Sequence, residues 1–330
     1  MSRRQARPRP PLAATASLLV ALVVAAPLLS GCGTQSAGSG SAAGGSAAPS
    51  GRTPVNDPGK DGVRVTSVTL PPASPSPSPS PSDDYIVSAD SLPGDAAKPS
   101  ADYEVTNSGT EALTYTVIFT FLSADGGAMD NPSVTVRDVG PGKTVRGTVR
   151  SGEMPPSAPR ITGAEVLEVT AVPSAEAPAE PGVCPASGVR VSVDRGDAAM
   201  GLRVVSLHLT NCGTRPYSLD GYPLLELLDD RREPVDGVKI LDGTGGITTG
   251  LGSDLPPEPF TLAPGESATA GLAWRNTTQF GTPVNVPYVR VRAKTGTDPV
   301  IVTPNLDLGT TGKLGVGPWQ KTKPGQGAAG

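Results

Sequence analysis

The chain has 330 residues, 18% of them charged, and a formal net charge of −4. That balance offers a polyanion no overall field to follow, so nucleic acid is excluded as a partner. Aromatic residues make up 4%, which leaves few stacking platforms for sugars or bases. Gly and Pro exceed their usual shares, and much of the excess falls in stretches that read as connectors.

The chain begins with Arg3, Arg4, Arg7 and Arg9, followed by an uncharged run whose apolar part is densest from Leu18 to Ala26. Small residues then lead to Leu29-Ser30-Gly31-Cys32. Charge, apolar stretch and small residues in that order make a secretory signal. Its ending resembles the bacterial lipobox, which implies that Cys32 is lipidated, with palmitate among its acyl groups, and becomes the first residue of the mature chain. An uncleaved anchor is the competing reading, since Leu12 to Leu29 just reaches the length needed to span. Pro27 and the alanine pairs weaken it. Simple secretion is the third. Each buried methylene contributes ~0.8 kcal/mol and one acyl chain binds only reversibly, whereas a diacylglyceryl thioether supplies two. Removing residues 1–31 takes away four arginines and leaves a charge of −8.

Residues 32–59 are rich in Gly, Ser and Ala and lack the apolar side chains that would offset ordering entropy. They are expected to be a disordered tether with a reach of roughly 25–30 Å. A first β-sandwich module is expected over 60–172. Val63, Val65, Val68 and Leu70 suggest its first strand, and the Pro/Ser alternation of 71–82 reads as an inserted polyproline loop. A second linker is the other reading of 71–82. Pairing is expected to resume at 84–89. From Leu113 to Phe121 the residues Leu113, Tyr115, Val117, Phe119 and Phe121 share one face, which predicts a half-buried strand. Further strands are predicted near Val134–Val139, Thr144–Val149 and Val166–Val172.

Residues 173–182 form a Pro-rich linker. A second sandwich module is expected over 183–319, with strands at Val189–Val193, Leu202–Leu209, Leu224–Leu228, Val238–Leu241, Ala268–Trp274, Tyr288–Ala293 and Val300–Val302. Residues 320–330 should be a disordered tail. Short strands divided by turn residues make the fold class all-β, two immunoglobulin-like sandwiches. The modules also echo each other. Thr106-Asn107-Ser108-Gly109-Thr110 matches Thr210-Asn211-Cys212-Gly213-Thr214, and Pro141-Gly142-Lys143-Thr144 parallels Pro264-Gly265-Glu266-Ser267. Asn-x-Gly is expected to supply a positive φ at a tight connection, and Pro-Gly a preorganised turn. Independent reuse of common turns is the alternative.

Of three cysteines, lipidation of Cys32 leaves the pair Cys184 and Cys212, an even number as an oxidising compartment favours. A disulfide closing their loop of about 28 residues contributes on the order of 3.5 kcal/mol. Two unpaired buried thiols are the alternative. No Cys-x-x-Cys exists and His208 is the only histidine, so no metal site and no cofactor are expected.

His208 alternates opposite Val205, Leu207 and Leu209 and is expected at the surface, with no nucleophile marked for it. Gly-x-Ser-x-Gly and Ser-x-x-Lys are both absent. Asp229-Asp230-Arg231-Arg232 reads as a hairpin turn. Arg290, Arg292 and Lys294, spaced by two, form a basic stripe with Val289, Val291 and Ala293 behind it. It is either a charged edge that discourages sheet pairing or a contact for an anionic ligand. Trp274 and Trp319 are expected in the core. The Gly/Thr/Pro stretch from Asp242 to Pro259 is the candidate binding loop.

The stretch Leu207-His208-Leu209-Thr210-Asn211-Cys212-Gly213-Thr214-Arg215-Pro216-Tyr217-Ser218-Leu219-Asp220-Gly221-Tyr222-Pro223 resembles the actinobacterial family called domain of unknown function 4232. Ala263-Pro264-Gly265-Glu266, Ala273-Trp274-Arg275-Asn276 and the closing Leu306 to Trp319 continue the resemblance, which covers roughly 183–319. It implies a secreted or lipid-anchored β-sandwich of unassigned activity and supplies no catalytic residue. Relatives carry further cysteines after Gly221-Tyr222-Pro223, and this chain has none there. The first module looks, more loosely, like immunoglobulin-like envelope domains.

Together these features describe a non-enzymatic binding or scaffold protein of the bacterial cell envelope, lipid-anchored on the extracytoplasmic face of the membrane. Its expected partners are the membrane through Cys32 and either cell-wall polymer or another envelope protein. Alternatives are an accessory lipoprotein of an exported enzyme or transporter, and a hydrolase with a noncanonical site. Cys32→Ala is expected to move the protein from the membrane fraction to the soluble fraction in cell fractionation. Unchanged retention contradicts the anchor.

Overall fold

The computed structural model describes residues 51–71, 98–155, 157–251 and 255–323. The signal segment with Cys32, the tether up to residue 50, the Pro/Ser insertion beyond Pro71, the pairing expected at 84–89 and the last seven residues of the tail lie outside them. Every described residue belongs to one contact unit, 48–330. The fold is all-β.

In the first half, eight strands run β1 (Gly51–Pro54), β2 (Val63–Leu70), β3 (Ser100–Thr106), β4 (Leu113–Ser123), β5 (Ala128–Asp130), β6 (Ser133–Val139), β7 (Thr144–Arg150) and β8 (Ile161–Pro173). One sheet has the order β1-β2-β3-β7. In the other, β4 carries β8 along one edge and β6 and β5 along the other. Val63, Val65, Tyr103 and Val105 from the first sheet meet Tyr115, Val117, Phe119 and Phe121 from the second in a single apolar cluster. The rings of Tyr103 and Phe119 lie 4.9 Å apart across that interface. Gly147, in register with Tyr103, makes room for it: a Cβ there would lie 2.4 Å from the tyrosine ring. The expected face of β4 is buried throughout, and Thr114 and Thr120 on its other face are buried as well.

The second half contains β9 (Val189–Val193), β10 (Asp197–Ala199), β11 (Leu202–Asn211), β12 (Tyr217–Leu219), β13 (Leu224–Leu228), β14 (Lys239–Asp242), β15 (Phe260–Leu262) and β16 (Ser267–Arg275). It closes with β17 (Val284–Val286), β18 (Tyr288–Arg292), β19 (Val300–Val302), β20 (Leu306–Gly309), β21 (Lys313–Val316) and β22 (Gln320–Lys321). The main sheet runs β10-β11-β16-β21-β14, with β9 beside β11 and β22 beside β16. A second sheet runs β13-β18-β19, and β12-β15 and β17-β20 are two-stranded. Leu207, Leu209, Leu272 and Trp274 pack against Leu227, Val289, Val291 and Val302. Trp274 and Trp319 are both 2% exposed, as core residues should be.

The repeated Asn-x-Gly has one geometry in both halves. Asn107 donates from Nδ2 to the Glu111 and Val139 carbonyls, each at 2.7 Å, and its Oδ1 accepts from the Gly109 amide. Asn211 donates to the Arg215 and Leu262 carbonyls at 2.8 and 2.9 Å, and its Oδ1 accepts from the Gly213 amide. Backbone bonds join each asparagine to the Pro-Gly turn: Gly142 N to Asn107 O, and Gly265 N to Asn211 O. The positive φ expected of Asn-x-Gly is found instead at Gly142 and Gly265 of those turns, +66° and +86°. Asn-x-Gly works here through its side-chain amide, not through glycine's backbone freedom.

Two boundaries differ from expectation. Residues 51–54 leave the tether and pair with Ser67–Leu70 as β1, with all four residues exposed, so no apolar alternation marks the strand. Gln320 and Lys321 leave the tail to pair with Thr269 and Ala268, where Lys321 also meets Glu266 at 2.6 Å. The connecting stretch starts as the last residue of β8, Pro173, followed by a 3-10 turn, Ser174–Glu176. Val172 packs with Leu228, Tyr288 and Ile301 of the second half.

Each buried group left without its partner costs about 1–3 kcal/mol, so Asn107→Ala and Asn211→Ala should each destabilise the chain by ~2–4 kcal/mol. Urea unfolding of the full chain checks this. Loss below about 1 kcal/mol contradicts the bridging role.

Candidate functional site

In the second half, the turn after β12, the start of β13, the end of β14 and the start of β15 surround an open groove of about 850 Å³. Leu219 is buried beneath it, and Tyr222 and Phe260 are half-buried in its wall. Leu224 on β13 and Ile240 on β14 remain 44% and 41% exposed there. These two strands end their sheets: β13 pairs only with β18, and β14 only with β21, over these residues. Leu224 and Leu225 of the one and Ile240 of the other line the same groove.

The charges around it are unequal. Lys294 lies over the Tyr217 ring at 4.2 Å and donates from Nζ to the Ser218 carbonyl at 2.6 Å. Burial pushes the Tyr217 hydroxyl above its ordinary pKa. Asp220 and Asp242 line the same groove, exposed, and neither carboxylate has a partner among the described residues.

The three stripe cations therefore have different surroundings. Arg290 is held by Glu176 at 2.6 Å and Glu226 at 2.7 Å, and the hydrogen bonds it donates to Glu226 and then to Glu176 raise its pKa. Arg292 donates to the Thr297 carbonyl at 2.6 Å and remains exposed. Lys294 alone of the three reaches the groove. Their strand is not an edge: β18 lies between β13 and β19. The edge reading of the stripe is thereby corrected, because alternation of charge along one strand does not say what pairs beside it. Val289, Val291 and Ala293 do pack inward.

His208 is half-buried, its Nε2 3.2 Å from Asp194 Oδ2. Asp194 Oδ1 accepts from the Gly196 and Ser206 amides, so the pair braces the turn that follows β9. The hairpin at 229–233 is present, with Asp229 Oδ1 accepting from the Arg231 and Glu233 amides. Among the described residues no group of three or more His, Cys, Asp or Glu is placed to hold a metal. No helix among them is long and apolar enough to cross a membrane. Cys184 and Cys212 are disulfide-bonded, with Cα atoms 5.6 Å apart.

The candidate loop after Asp242 splits in two. Its start folds onto the core, with Thr244 buried, Gly243 N bonded to Val316 O and Arg275 Nε to Ile247 O. Among its described residues, those at the ends, Asp242 and Pro259, line the groove. The exposed Leu224 and Ile240 carried no sequence signal, because apolar residues at an edge and in a core look alike until the pairing is known.

Asp307 accepts from Trp274 Nε1 at 2.8 Å and Asn276 Nδ2 at 3.0 Å, with Arg203 at 3.5 Å. Trp319 donates from Nε1 to the Ala293 carbonyl and from its backbone to Gly221 O. With Asn211 these are the joints of the second half. Residues 184–320 match the family described as Domain of unknown function (DUF4232). No curated protein matches the chain. The match runs from the disulfide at Cys184 to the first residue of β22, so the DUF4232 segment includes the groove and all three stripe cations. Several of the residues that resemble the DUF4232 family (Asn211, Trp274, Asn276, Asp307 and Trp319) hold strands together, while Tyr222 and Pro223 enter the groove wall.

Arg290→Gln leaves Glu176 and Glu226 without their guanidinium and should cost about 1–2 kcal/mol. Arg292→Gln should change stability by less than about 0.5 kcal/mol. Urea midpoints of the two variants separate a cation held between carboxylates from one held at the surface by a single carbonyl.

Proposed function

We propose that the chain is a lipid-anchored binding protein of the extracytoplasmic membrane face, built of two immunoglobulin-like modules. The DUF4232 groove receives an extended segment of another envelope protein. The observation that carries this is the pair of facing sheet ends with exposed Leu224 and Ile240. An added strand gains backbone hydrogen bonds from such an edge and specificity from alternate side-chain pockets. The Cys184–Cys212 disulfide supports an oxidising compartment.

Charge narrows the partner. The two carboxylates at the rim are unpaired, and the ammonium of Lys294 is occupied by a ring and a carbonyl. The fitting segment is therefore apolar with Lys or Arg beside it, rather than an anionic wall polymer. In this reading the protein does no chemistry of its own and acts by holding a partner near the membrane.

A photo-crosslinking residue at Ile240 in intact cells tests it. The expected product is a crosslink to a protein segment that mass spectrometry maps as apolar and basic, absent when the probe is moved to the exposed Phe280. Leu224→Ser should reduce the yield severalfold. Capture of a polymer, of an acidic segment, or of the same products from Phe280 overturns the proposal.

A further inference from the structure

The outer face of the β6-β4-β8 sheet carries a row of threonines in register. Thr116 stands opposite Thr135 on one side and Thr170 on the other. Beside the row lie Thr114, Arg137 and Val172, and above it Pro178, Ile301 and Thr303, so that both halves of the chain enclose a crevice of about 110 Å³. Threonine is a common strand residue, and the row alone carries nothing. Arg137 gives it meaning. It is half-buried, it donates from Nη1 to the Pro178 carbonyl at 2.9 Å, and no carboxylate among the described residues pairs with it. Glu176, in the same connecting stretch, is taken by Arg290.

A half-buried cation is ordinarily matched by an opposite charge, because desolvation disfavours it otherwise. Here its partner is a carbonyl, and the crevice beside it is lined by hydroxyls. The Thr114 hydroxyl shares a hydrogen bond with Ser174 at 3.0 Å, and that of Thr170 makes a long bond to the Thr116 carbonyl. The hydroxyls of Thr116, half-buried, and of Thr135 and Thr303, both exposed to solvent, have no protein partner among the described residues and are free to turn toward a ligand. Beyond its bond to the Pro178 carbonyl the guanidinium has further N–H groups. Together with hydroxyls that can turn to donate around one small opening, they form a donor set that an oxyanion can fill.

We infer that this crevice binds a phosphate-sized oxyanion, held by Arg137 and the hydroxyls of Thr116, Thr135 and Thr303. The opening admits one tetrahedral group and excludes a nucleoside or a sugar ring. Because Pro178, Ile301 and Thr303 form one wall, the bound anion also spans the contact between the two halves. The site is separate from the groove of the DUF4232 segment and does not depend on what that groove binds.

Isothermal titration of the full chain with inorganic phosphate, at constant ionic strength, tests the site. Saturable binding at one equivalent per chain is expected. Arg137→Gln should weaken it at least tenfold and Thr116→Val severalfold, while Arg292→Gln leaves it unchanged. Should Arg137→Gln fail to fold, Arg137→Lys and Thr135→Val, both expected to weaken binding severalfold, replace it. Glycerol phosphate distinguishes the sources: affinity equal to that of phosphate marks a phosphomonoester site, and a tenfold weaker one marks a free-ion site. No saturable binding, or equal affinity in the folded Arg137 variants, overturns the inference.

Discussion

Where β3 ends and the chain crosses to β4, the ladder of one sheet stops before that of the other begins. The Val139 carbonyl, buried at the end of β6, and the Glu111 carbonyl, in the connection before β4, both turn to the Asn107 side chain there. Buried backbone groups must find partners. The amide of Asn107 supplies two donors and one acceptor at that point, a combination that Asp, Ser or an apolar residue lacks. Asn211 does the same between β11 and β15. Neighbouring hydroxyl pairs repeat as well: Thr106 with Thr144 at 2.8 Å and Thr210 with Ser267 at 3.0 Å. Both halves therefore solve the passage from one sheet to the next with the same few atoms. Sheet order, register and the closure of each core follow from that join.

How much of this could be read in advance depended on burial. β4 was legible because Leu113, Tyr115, Val117, Phe119 and Phe121 face a core, and alternation follows directly from one buried face. β3 alternates too, with Ala101, Tyr103 and Val105 inside, but Asp102 and Glu104 between them make it look like a loop. Their charges are tolerable because Arg52 meets Asp102, and Arg64 and Arg146 meet Glu104, from neighbouring strands. Those contacts hold both carboxylates below their ordinary pKa, by side-chain hydrogen bonds from Thr148 at Asp102 and from Arg64 at Glu104 before other causes. β1 and the three-residue strands other than β19, which Val300–Val302 marked, left no pattern, having too few residues or no buried face. The groove was invisible for another reason. Which strands end a sheet is settled by pairings such as Leu225 with Val291, far apart in the chain.

The connecting stretch shows composition and packing in competition. Its prolines and alanines suggest a loose spacer, yet its flanks meet several groups of the second half. Arg232 donates to the Ala171 carbonyl and pairs with Glu111, and the Tyr288 hydroxyl accepts from the Ala171 amide. Burial in that contact raises the Tyr288 pKa. Glu176 and Arg290 are each 24% exposed, so their ion pair is screened less than a surface one. Val172 and Ile301 are apolar neighbours at the same place. Proline fixes the chain's direction, and it is compatible with a docked segment whenever the surrounding residues supply the contacts.

The basic stripe carries the same lesson to function. Three cations at spacing two on one strand look equivalent in sequence. Arg290 is neutralised between two carboxylates, Arg292 ends on a carbonyl at the surface, and Lys294 covers an aromatic ring at the edge of the groove. The fates of Arg290 and Lys294 are set by residues more than 50 positions away, Glu176, Glu226, Tyr217 and Ser218, and that of Arg292 by Thr297 close by. Arg137 is the converse, a cation unremarked in its own stretch that acquires a role because Thr116 and Thr303 arrive from elsewhere. Binding capacity in this chain is a property of how strands come together. The recognisable motifs serve mainly to bring them together.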